Sequence, residues 1–347
     1  MNKRILSTAC FGMLAACLTQ AAIAKDLTVI SFGGASQEAQ AKAYYEPFTK
    51  ATGINIIPVA YNGEMAKIKA MVEAGKPTWD VVEVESPELL RGCEEGLFEK
   101  LDYGKIGDKK DFIPGSVSDC GIGIFVWSVV LAYNADLVKG TPASWADFWD
   151  VKKYPGKRGL RKGAKYTLEI ALLADGVPPA EIYKVLATKA GVERAFKKLD
   201  QIKPNIQWWE AGAQPPQLLA SGDLVMSSAY NGRIDAAQKE GKNLKIVWNG
   251  SIYDVDSWAI PKGDPKSAEA YQYIAFASKP ENQKVFSGFI AYGPTNIKAV
   301  SLIDPKRADV LPTAPANLKG AFAIDIPFWV DRGEELEQRF NTWAAAN

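Results

Sequence analysis

Apolar positions in this chain fall into two alternating patterns. Residues 27–32 (LTVISF) form a short apolar run, followed by Gly33-Gly34-Ala35-Ser36 and a helical stretch over about 37–52 that Gly53 stops. A second run at 54–59, a helix near 64–73, a Gly-Lys-Pro break and a third run at 80–84 repeat the arrangement. Strands alternating with helices of this length predict a parallel sheet with helices on its faces. The pattern changes at 121–134 (GIGIFVWSVVLAYN), too β-branched and continuous for a helix and suited to an extended crossing between two bodies. Helices are then predicted near 144–149, 166–174, 179–187, 192–201, 213–221 and 231–240, with strands at 223–228 and 244–248. A second long extended run, 252–260 (IYDVDSWAI), precedes helices near 265–277 and 281–289. The fold class expected is α/β, with two discontinuous α/β lobes around a central cleft. Residues 25–128 plus about 256–300 form one lobe, and about 129–255 plus about 301–347 form the other. Lobes joined by strands without a linker make a hinge.

Composition narrows the chemistry. The 347 residues include no histidine, which excludes His-based triads, His metal sites and an imidazole pH switch. A net charge of +1 gives no bulk sign of nucleic-acid binding. Residues 1–24 read as an export leader: Lys3 and Arg4, an apolar stretch, then Ala22-Ile23-Ala24 before Lys25. Leu14-Ala15-Ala16-Cys17 also resembles a lipobox, which would anchor the chain through a lipid on Cys17. Either route takes the protein out of the cytoplasm, to the periplasm. Cys93 and Cys120 remain after cleavage; an oxidising compartment permits a bridge, and two small buried thiols are the equal alternative.

Several segments resemble one family. F-x-K-x-T-G-I at 48–54, WDVVEVESPELL at 79–90, FVWSVVLAYNADLV at 125–138, PASWADFWD at 142–150, SGDLVMSSAYNGRIDAA at 221–237, YDVDSWAIP at 253–261 and AYGPTN at 291–296 are similar to periplasmic polyamine-type solute-binding proteins. These are the type II substrate-binding subunits of ABC importers. The resemblance implies a non-enzymatic protein without cofactor or metal. It would close its lobes over a small solute, deliver it to ABC permease subunits, and work as a monomer without a nucleic-acid partner.

The resemblance also implies site residues. Polyamine binders use aromatic walls and several carboxylates. One of those carboxylates aligns with Asp256, while another aligns with Arg233, so a guanidinium stands where the family carries an acid. A guanidinium suits a bidentate grip on a carboxylate, and Asp256 suits an amine. The expected ligand is therefore zwitterionic, such as an amino acid or γ-aminobutyrate, with a polyamine as the alternative. Gly34, Ala35 and Ser36 sit in a strand-to-helix turn whose free N–H groups could receive the ligand. Glu85 is a second candidate amine partner and Ser86 a hydroxyl contact, at the carboxyl end of a strand. Trp127, Tyr230, Trp258 and Tyr292 are the candidate aromatic walls. The basic run from Lys157 to Lys165 lacks P-loop order and reads as a solvated loop, with Tyr166 and Thr167 opening the next helix. A ferric-iron site is disfavoured, since Tyr44-Tyr45 lies mid-helix, and no Asp/Glu pair stands in a recognisable glycosidase setting.

Overall fold

A computed structural model describes residues 26–346. The leader, with its cleavage site and the lipobox cysteine, lies outside the described residues. Strands β1 (Asp26–Ser31), β2 (Asn55–Ala60) and β3 (Val81–Glu85) pair in parallel, as the repeated strand–helix pattern requires. β4 (Ile122–Asn134) is buried along its whole length, which accounts for its unbroken apolar run. β5 (Arg158–Arg161), β6 (Ile206–Trp209) and β7 (Met226–Tyr230) follow, then β8 (Leu244–Ala259) and the short β9 (Gly293–Pro294) and β10 (Phe322–Ala323). The sheet order is β2-β1-β3-β8-β4-β7-β5-β6. β8 and β4 form its centre, with a parallel group on each side, so the chain builds two α/β lobes that share their crossing strands.

The two runs expected at 244–248 and 252–260 are one strand, β8. Its antiparallel register with β4 jumps from Val129↔Ile252 to Leu131↔Val247, and Gly250 (φ 74°) takes up the extra residues in a backbone conformation that costs other residues strain. The helical stretch after β1 runs continuously to Thr52 with a wide π turn at Ala41–Tyr45, which buries Tyr44 and Tyr45. Cys93 and Cys120 are bridged, with Cα atoms 5.8 Å apart.

The basic run is a correction. Residues read as a solvated loop form β5, parallel to β6 and β7. Arg158 is fully buried and donates to the carbonyls of Phe148, Gly156 and Asp150. The helix Ile326–Ala345 buries Trp329, Leu336 and Phe340 and organises the end of this run. Its Glu337 accepts from the backbone N–H groups of Ala164 and Lys165 at 3.0 and 3.1 Å, and its Trp329 donates to Glu169 at 2.7 Å. Among the described residues no helix is long and apolar enough to cross a membrane.

Candidate ligand-binding site

A small cavity of about 20 Å³ lies where the carboxyl ends of the strands from both lobes meet. Its wall contains Ser36, Glu85, Trp127, Tyr230, Arg233, Asp256 and Tyr292 of the residues named from sequence, together with Phe32, Glu83 and Phe125. Gly34 and Ala35 line an adjoining depression on the far side of Arg233. Ser86 faces away: its hydroxyl donates to the Val255 carbonyl at 2.9 Å and its N–H to Asp254 at 3.3 Å. Trp258 is core, packed edge-on against Tyr273 with ring centroids 5.4 Å apart.

Local structure fixes Arg233. Tyr230 closes β7 and the helix Asn231–Lys239 starts at once, so Arg233 stands in its first turn. Asn231 pins that turn by accepting from the Ser128 N–H (3.0 Å) and donating to the Ala291 carbonyl (2.6 Å). Arg233 is only 3% exposed. Its Nη1 and Nη2 donate to the carbonyls of Gly33 and Phe32 at 2.9 and 3.0 Å, across the cleft. The end of β1 and the start of the Gly33–Ser36 turn therefore offer two carbonyls to the guanidinium. A Cβ at Gly34 would stand 2.8 Å from Arg233 Nη1, and one at Gly212 would stand 2.8 Å from its Nε. Glycine at both positions is what lets the guanidinium fit. Buried Nε has no protein partner.

The opposite end is anionic. Asp256 Oδ1 accepts from Trp127 Nε1 at 2.7 Å, and Glu83 lines the cavity wall with it. Glu83 is 1% exposed and accepts from Gln40 Nε2 at 2.7 Å; the Tyr45 hydroxyl donates to Gln40 Oε1 at 2.5 Å and so fixes which way that amide points. Burial raises both carboxyls above the usual range, Asp256 well above it, and their mutual repulsion raises Asp256 further. Glu83 escaped the sequence reading, although the alternation in VVEVE places it on the same face of β3 as Glu85.

Glu85 needs correction as a free amine partner. Lys165 approaches it at 2.5 Å and Arg161 at 3.6 Å, and Lys165 also pairs with Glu88 at 2.6 Å. Burial would raise the Glu85 carboxyl, but Lys165 and Arg161 outweigh it and hold the group below the usual range. Tyr166, whose φ of 68° makes it the described non-glycine residue in the left-handed region, sets its hydroxyl 3.4 Å from both Glu85 and Asp254. The aromatic walls interlock edge to face: Trp127 with Tyr230 at 4.9 Å, and Tyr230 with Trp209 at 5.5 Å; Phe125 stacks on Tyr292 at 4.7 Å.

Two lobes closing on a small cavity with a guanidinium at one end and carboxyls at the other define a solute receptor. The chain belongs to the bacterial extracellular solute-binding protein family, which it matches over residues 43–314. It is 62% identical to the γ-aminobutyric acid-binding protein of Pseudomonas aeruginosa over 335 residues, covering 96% of this chain and 95% of that one. The solved structure of a GABA receptor superposes with a TM-score of 0.82 at 38% identity, covering 93% of this chain and 98% of the other. The spermidine/putrescine-binding periplasmic protein of Salmonella typhimurium is 26% identical over 304 residues, 81% of this chain and 82% of that one. The protein is thus a solute-binding subunit of an ABC transporter, of a family whose members bind small molecules and engage permease subunits.

Proposed function

We propose that the captured solute is a small zwitterion of the γ-aminobutyrate type. Arg233 takes its carboxylate and Asp256, with Glu83 beside it, takes its ammonium. The observation that carries this reading is the charge state of the buried groups. Arg233 donates only to neutral carbonyls, so its positive charge is left for a ligand anion. The nearby relative that binds γ-aminobutyrate supports the same ligand class. A dicationic polyamine would bring its charges against a guanidinium that a ligand carboxylate does not cover, and Glu85, its other possible partner, is already matched by Lys165 and Arg161.

In this reading the protein acts by closure rather than turnover, as a monomer in the periplasm, freed after Ala24 or tethered through Cys17. Residues 25–128 with about 256–300 form one lobe, and about 129–255 with about 301–347 the other. The registers support these limits: β3 pairs with β8 over residues 256–259, while β7 pairs with β4 from Val129 onward. Titration calorimetry with γ-aminobutyrate and putrescine tests the proposal. Tight binding of the amino acid and weak binding of the diamine are expected. A protein that binds putrescine tightly and ignores every carboxylate-bearing amine would overturn it.

A further inference from the structure

The cationic end of the ligand faces two carboxyl groups where one would balance its charge. Glu83 lies on β3 and Asp256 on β8, and in the antiparallel register Glu83 stands opposite Trp258 and Glu85 opposite Asp256. Glu83 and Asp256 are therefore diagonal neighbours on adjacent strands, within reach of each other. Both line the cavity, both are almost wholly buried, and among the described residues neither is ion-paired to a lysine or arginine. Two neighbouring carboxylates buried in one wall repel each other, and a single proton held between them removes that repulsion. The surrounding donors decide where it sits. Glu83 accepts from Gln40 Nε2, which favours its ionised form. Asp256, whose donor among the described residues is Trp127, is the natural carrier of the proton.

We propose that Glu83 and Asp256 hold a single proton between them and so act as the charge selector of the site. Resting on the zwitterion reading above, the pair presents one negative charge, balanced by Arg233, and accepts a ligand with one ammonium and one carboxylate without any change in protonation. A dication binds only if the shared proton leaves to solvent, giving two carboxylates for two ammonium groups; no covalent bond changes.

The groups facing the pair agree with this state. On its own strands, Glu85 and Asp254 add negative charge that opposes a second ionisation at Asp256, and Arg233 faces it from the helix Asn231–Lys239. Glu85 itself is matched by Lys165 and Arg161. The phenols of Tyr44, Tyr45, Tyr61 and Tyr292 surround Glu83 and are pushed up by burial, so they stay neutral and cannot replace the proton.

Two measurements on the full protein test the assignment. The first is infrared spectroscopy at neutral pH without ligand. The difference spectrum between the parent and Asp256→Asn should show loss of a protonated-carboxyl C=O band, because the carrier of the proton is gone and Glu83 keeps the Gln40 donor that favours its ionised form, while Glu83→Gln should shift the band, because it removes the neighbour that shares the proton and leaves burial to act on Asp256. No such loss or shift in either variant would mean that both groups were ionised, and would overturn the proposal. The second is calorimetry with putrescine in buffers of different ionisation enthalpy. The parent should release close to one proton per putrescine bound, and its putrescine affinity should rise by up to about tenfold per pH unit. Asp256→Asn should abolish both the release and the slope. Putrescine bound by the parent with no proton released would also overturn the selector. A parent that rejects γ-aminobutyrate would sink the zwitterion reading alone, because the infrared band is read without any ligand.

Discussion

Two cationic ties cross the cleft, one at each flank of the cavity, and they are built from opposite materials. On one flank Arg233 grips the carbonyl oxygens of Phe32 and Gly33. On the other, Lys165 sits between Glu85 and Glu88, with Arg161 also facing Glu85. Carbonyls orient a guanidinium without cancelling its charge, whereas carboxylates cancel an ammonium. In the proposed function the Arg233 tie positions a cation for the ligand, whereas the Lys165 tie pairs its cations with the carboxylates of the facing lobe. A positive side chain in a cleft is a ligand group only if its own partners are neutral.

Substitutions at the two ties should separate these roles. The largest effect is expected from Arg233→Ala, which leaves the ligand carboxylate buried without a partner. Breaking such a pair costs about 3–5 kcal/mol, on the order of a hundredfold or more in γ-aminobutyrate affinity by calorimetry. If affinity survives this change, the carbonyl-held guanidinium is merely structural and the contrast collapses. Lys165→Met should act on closure instead. Affinity for every ligand should fall by about tenfold through faster release, with the preference for γ-aminobutyrate over putrescine retained. A changed preference, seen by stopped-flow dissociation and competition, would place Lys165 with the ligand groups.

The smallest effect is on stability against pH. Burial pushes Asp254 and Glu169 up to about 7. Groups raised in the folded state bind protons there more readily than in the unfolded chain. Their contribution is complete below the ordinary carboxylate range and is lost as pH climbs through about 7. Glu85 is shifted the other way, so its contribution is present above that range and is lost only in stronger acid. Melting temperature should therefore fall by a few degrees between about pH 5 and pH 8, at roughly 2–4 °C per kcal/mol for a chain of a few hundred residues. Calorimetric melts across that range check the sign; a rise would mean the lowered carboxyls dominate.

Much of the fold was legible because it rests on local pattern. β1, β2 and β3 and the helices between them follow from alternation of apolar runs with helical spacing, and β4 follows from thirteen consecutive buried residues. Trp329, Gly333, Leu336 and Phe340 also recur at helical spacing, so the last helix was a readable element that the sequence analysis left out. β5 was not readable: four residues with two arginines, spaced by glycine, look solvated. What makes them interior is compensation no local pattern shows: Arg158 is satisfied by the carbonyls of Phe148, Gly156 and Asp150, and Arg161 faces Glu85 from the other lobe. Long-range ion pairs leave no periodic trace. The same limit applied at the site. Arg233, Asp256, Trp127 and Tyr230 could be named from motifs, but whether Glu85 faces the ligand or a lysine depended on a partner no motif contains. Trp258 misled for the converse reason, since an aromatic two residues beyond Asp256 shares its strand without sharing its surroundings.

One feature of the sheet has a mechanical consequence. β4 and β8 are hydrogen-bonded to each other from Ile122↔Trp258 to Asn134↔Leu244, broken only by register shifts near residues 123–125 and 129–131. A ribbon of two bonded strands resists stretching and in-plane shear, because either would rupture its ladder, but it twists readily. Between the stretches flanked by β3 and β7, rotation about the ribbon is the motion its ladder opposes least, and the irregular steps in the register lie close to that span. In the proposed function, a permease touching both lobes would read occupancy of the cavity as that rotation.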